Sequence, residues 1–186
     1  MKKSIILVAL IFQIMTVYGQ AYTLKNTESS CMVSGTSTLH DWHLEATEMS
    51  GEASFQLDNG MIAIENLSFD VNVEGLESGK GAMDKNTFKA LKSDKYPEIK
   101  YEFVRIIDQQ QTATGLLLKT GGKLSIAGAT KSVYLDVLAS NKENVSFSGE
   151  ITFNMSDYGV EPPVALMGTI TTGDEITIAF NVQYSK

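Results

Sequence analysis

The one place where reactive side chains fall together is His40-Asp41-Trp42-His43. Two imidazoles and a carboxylate are the donor types of a metal site. On a strand, however, side chains three apart point to opposite faces, so only a turn brings His40 and His43 to one ion. His40 and Asp41 are also the residue types of a general base and its orienting acid, which would make the chain a hydrolase-type enzyme acting on a lipid or amide. Such a pair needs a nucleophile or an activated water, and no Gly-x-Ser-x-Gly elbow occurs in the sequence. The favoured reading is structural: Trp42 covers one end of the fold, and a histidine bonds backbone in a turn or meets the polar head of a ligand. No catalytic residue and no metal is assigned. Asp84, Lys85 and Asn86 form a second polar group at the start of an expected helix. Backbone N–H groups and a cation there suit a phosphate or quinone head, and a capped, solvated helix terminus is the alternative.

These residues sit in a chain of 186 residues, 43% hydrophobic and 20% charged, the range of one ordinary globular domain. Its formal charge of -7 argues against nucleic acid and against anionic membrane surfaces. Lys2 and Lys3, an apolar run from Ile5 to Phe12 and the small residues before Gln20 read as a secretory signal segment over residues 1–19, cleaved after Gly19. Gln13 and Thr16 stop the run short of a bilayer span, so no membrane anchor is expected after cleavage. Losing Lys2 and Lys3 leaves 13 basic against 22 acidic side chains, or -9 over residues 20–186. The expected product is periplasmic or secreted, monomer or homodimer. A lone Cys31 in an exported chain reads as a small buried hydrophobe.

Alternation of apolar and polar residues is the strongest signal after residue 50, and it predicts strands. The clearest run is Val145, Phe147, Gly149, Ile151, Phe153 and Met155, with serines, Glu150, Thr152 and Asn154 on the other face. The same period marks Ile176 to Tyr184 and Ile99 to Phe103. Further strands are expected within Tyr22–Ser34, His43–Glu48, Gly51–Leu57, Met61–Val73, Thr112–Ile126 and Ser132–Ser140. Asp58-Asn59-Gly60 and Gly121-Gly122 read as turns. Asp84 to Lys92 breaks the pattern as one short helix capped by Asp84, and Pro97 restarts the strands. Roughly eight strands with one apolar face hide their edges by closing into a barrel, and a sandwich is the rival.

Three segments in order resemble the YceI-like family of exported, lipocalin-like proteins: Gly51 to Phe55, Phe88 to Ile99 with Lys95-Tyr96-Pro97, and Gly122 to Thr130. Asp157 to Val160 and Gly173 to Ile176 are similar to that family's closing strands, while Lys80 to Asp84 replaces its usual arginine-containing stretch. The resemblance implies an all-β fold, an extended antiparallel eight-stranded lipocalin-like barrel with one short helix. It also implies a tunnel that takes up a long apolar molecule, an isoprenoid or isoprenoid quinone, as a ligand and not a cofactor. Tunnel-facing candidates are Phe55, Leu57, Ile64, Phe69, Val71, Phe88, Leu91, Tyr101, Phe103, Leu135, Val137, Phe147, Ile151, Phe153, Ile178 and Phe180, with Ile62 and Val133 also inward. Each of them also fits plain core packing, because alternation reports facing and not vacancy. A barrel filled by its own side chains would be a structural or interaction module. Head or mouth contacts fall to His40, Asp41, Trp42, Asp84, Lys85 and Asn86.

Overall fold

A computed structural model describes residues 20–58, 60–141 and 144–186. The expected signal segment, residues 1–19, lies outside the described residues, as does Asn59 of the expected Asp58-Asn59-Gly60 turn.

Eight strands carry the fold. β1 comprises Gln20–Leu24 and Ser30–Ser37, bent by a 3-10 turn at Asn26–Glu28. β2 comprises Trp42–Ala46, Met49–Ser50 and Glu52–Asp58. β3 is Met61–Asn72, continued through the turn Val73–Gly75 into Leu76–Glu77. After helix α1 (Gly81–Leu91) come β4 (Glu98–Gln111), β5 (Leu116–Ile126), β6 (Ala129–Asn141), β7 (Val145–Asn154) and β8 (Ile170–Ser185). Each pairs antiparallel with the next, and β8 returns to β1 through Ile178↔Val33 and Leu24↔Tyr184. That last pairing closes the sheet into a barrel and removes its free edges.

The alternation expected from sequence is the one observed: Val145 and Phe147 are buried while Glu150 and Thr152 are exposed. Two local expectations need correction. Gly121 and Gly122 lie inside β5, opposite Arg105 and Phe103. A Cβ on Gly122 would come 2.4 Å from the Tyr101 ring, so this glycine makes room for an aromatic neighbour and does not turn the chain. The real β5–β6 turn is Ala127-Gly128, both at positive φ (49° and 88°), a two-residue hairpin that follows the twist of its strands.

Helix α1 begins at Gly81, three residues before the expected start. Asp84 is not its cap: its carboxylate reaches back to accept from the Ser78 N–H (2.8 Å) and hydroxyl (2.6 Å), fixing the entry of the chain. Lys92 ends the helix in the left-handed region, φ 57° and ψ 50°.

Candidate functional site

The barrel interior holds two apolar chambers. The inner one, of about 100 Å³, draws Ile64, Phe69 and Val71 from β3, Tyr101 and Phe103 from β4, and Val133, Leu135 and Val137 from β6. Phe147 and Ile151 of β7 and Ile178 and Phe180 of β8 complete the expected part of its wall. The outer one, of about 330 Å³, lies under α1 and takes Phe153, Ile178 and Leu91 with His40, Trp42 and Asn86. Val33, Leu76, Ile99 and Ile178 line both, so the chambers meet at a neck and form one tunnel. The outer volume falls in the usual range for small-molecule sites, about 300–1,000 Å³.

Two hydroxyls of the inner wall are already engaged by backbone carbonyls. The Thr120 hydroxyl donates to the Leu135 carbonyl (3.3 Å) and the Tyr184 hydroxyl to the Ser68 carbonyl (2.6 Å). Burial pushes the Cys31 thiol up to about 11. It also raises the Tyr101 phenol, an effect eased by a hydrogen bond to Thr120, and it raises the Tyr184 phenol further. Ionisable groups that resist charging and a wall of aliphatic and aromatic carbon select an apolar guest.

The mouth is different. His40 Nδ1 donates to the Asp41 backbone carbonyl at 2.6 Å, a bond only the protonated Nδ1 can make, which leaves Nε2 for other partners. Ser37 Oγ donates to the His40 carbonyl (2.7 Å) and accepts the Leu39 and His40 N–H groups, building the turn that carries the imidazole. Trp42 Nε1 donates to the Thr36 carbonyl (2.9 Å), and its ring lies over Gly35, where a Cβ would come within 2.5 Å of it. His43 takes the opposite register from buried Leu44 and is exposed, so the two imidazoles face different surroundings. The Asp41 carboxylate makes no bond to the imidazole in this arrangement, and the carboxylate–histidine contact of a general-base dyad is not built. Among the described residues no group of three His, Cys, Asp or Glu is placed to hold a metal ion.

Several expected residues stand apart from the tunnel lining. Phe55 is packed in the core beyond the inner chamber, Leu57 is exposed near the barrel end, and Phe88 is half-buried outside both chambers. Asp41, Asp84 and Lys85 also line neither chamber. Sequence reasoning missed Val33, Leu44, Leu76 and Ile99, as well as Pro163, Val164 and Ala165 of the strap that joins β7 to β8. Met83, Thr87 and Ala90 line the outer chamber at helical spacing, a stripe visible only once the helix is started at Gly81.

A family model described as a YceI-like domain matches residues 22–184. Comparison with curated proteins finds no match. Among solved structures, BcnA of Burkholderia cenocepacia is similar with a TM-score of 0.69 at 16% identity, over 88% of this chain and 99% of that one. A polyisoprenoid binding domain from Saccharophagus degradans gives 0.64 at 12% identity, over 88% and 97%. The Campylobacter jejuni YCEI protein gives 0.57 at 18% identity, over 73% and 81%. At these identities the structural likenesses establish a shared fold.

Proposed function

The chain belongs to the YceI-like domain family, and we propose on that premise that it binds the apolar chain of a lipid in its tunnel, as an exported carrier or reservoir. The carrying observation is the tunnel itself: two joined chambers, the inner walled mainly by aliphatic and aromatic carbon, with Lys80, His40 and Asn86 at the outer one. The isoprenoid or isoprenoid-quinone class follows from the neighbouring polyisoprenoid binding domain. Burial of hydrocarbon supplies the affinity, about 0.8 kcal/mol per CH₂ before ordering costs. His40 and Asn86 meet the head, and Trp42 walls the mouth beside them. Binding without covalent chemistry is the reading these groups support, since the Asp41 carboxylate does not orient the imidazole.

Organic extraction of the purified protein followed by mass spectrometry tests this. A prenyl or acyl compound at near-stoichiometric amount is expected, and repeated failure to find or load any such chain overturns the proposal. Export is tested separately by fractionating cells and sequencing the N-terminus of the recovered protein, which is expected to begin at Gln20.

A further inference from the structure

We infer that the tunnel is blind, and that the wall formed by Phe147 and Tyr184 sets the longest chain it admits; this rests on the chain-binding reading above. The two ends of the barrel are built differently. At the end carrying the β2–β3, β4–β5 and β6–β7 connections, Tyr22 stacks on Phe55 with ring centroids 4.2 Å apart and planes 16° from parallel. Phe55 meets Phe147 edge-on at 6.1 Å, and Phe147 meets Tyr184 edge-on at 6.0 Å. Phe147 and Tyr184 face the inner chamber, while Tyr22, Phe55, Ile62, Leu116 and Val145 pack behind them and line neither chamber. The hydroxyl of Tyr184 is held on the Ser68 carbonyl, so swinging this ring aside strands a buried polar group.

The opposite end lies under α1, the turn at Met155–Tyr158 and the segment Pro163 to Ala165, and Lys80, His40 and Asn86 line the chamber there. A chain with one polar end therefore enters tail first and advances until its tip meets Phe147. From Phe153 in the outer chamber to Phe147 is six residues of β7, about 20 Å of strand. Strands tilted by 35–45° make that about 15 Å along the barrel axis. A longer chain leaves carbon in water at the mouth.

The test is loading of the full mature protein with homologous series of fatty acids and all-trans prenyl alcohols, read by native mass spectrometry. Wild type is expected to show a sharp length limit. Phe147→Ala moves it up by about one prenyl unit, because the phenyl ring lost and the five-carbon unit gained are similar in volume. Phe147→Leu gives a smaller shift in the same direction and serves if the alanine variant does not fold. Ile178→Phe, at the neck, moves the limit down. An unchanged limit in the folded Phe147 variants, or no limit in wild type, overturns the inference. Loading of no chain by wild type at any length overturns the chain-binding reading instead.

Discussion

A methyl group on Gly122 has nowhere to go. Its carbon would come within 2.4–2.5 Å of the Tyr101 ring, which itself walls the inner chamber. Gly122→Ala is expected to destabilise the fold by about 1–3 kcal/mol, as overpacking does, and to weaken chain loading as the ring shifts. Urea unfolding checks the first part, and an unchanged midpoint would show that Tyr101 moves freely. Cys31 makes a prediction about pH. Burial disfavours its thiolate, so the folded state holds the proton more tightly than the unfolded chain, whose thiol titrates near 9.0. The stability this contributes is complete below that value and is lost as pH rises toward about 11. The loss is on the order of 1 kcal/mol per pH unit across that window. The raised phenols of Tyr101 and Tyr184 add theirs only above 10.0. Stability measured against pH should therefore fall earlier for wild type than for Cys31→Ala, and superimposable curves would refute the assignment.

At the scale of elements, α1 shows what sequence discloses and what it conceals. The lysines after Phe88 and the proline at 97 place its end correctly, because local chemistry terminates helices. Its start is hidden, because the residue that looks like a cap, Asp84, spends its carboxylate on Ser78 six residues back. The C-terminal residue, Lys92, is left in a conformation that glycine adopts without strain. Lys92→Gly is expected to stabilise the protein by about 0.5–1 kcal/mol even after the greater entropy of the unfolded glycine is counted. Thermal denaturation reads this as a higher midpoint, and a lower one would show that the lysine side chain contributes more than its backbone costs. The β5 glycines teach the same lesson in reverse: a glycine pair looks like a turn until the Tyr101 ring of the neighbouring strand is seen to occupy the space beside Gly122.

For the whole molecule, the barrel was legible because period-2 alternation recurs in eight segments and closed sheets are how such segments lose their edges. Which end is hollow was not legible. Phe55 and Phe147 alternate alike, yet one lies in the plug and the other faces the chamber, a distinction made by rings from four strands meeting across the barrel. This division puts stability at one end and recognition at the other. Phe55 is 2% exposed and stacked, so Phe55→Ala is expected to cost about 3–5 kcal/mol. His40 is exposed on a turn held by Ser37, so His40→Ala should cost less than about 0.5 kcal/mol while weakening the loading of chains that carry a polar head. Loading of a headless hydrocarbon by the His40 variant should match wild type, since the imidazole meets only the head. Chemical denaturation paired with binding of a prenyl alcohol and its parent hydrocarbon separates these effects. Should His40→Ala lose both ligands equally, the mouth shapes the tunnel itself, and the head-recognition role passes to Asn86 of α1 and to Lys80 just before the helix.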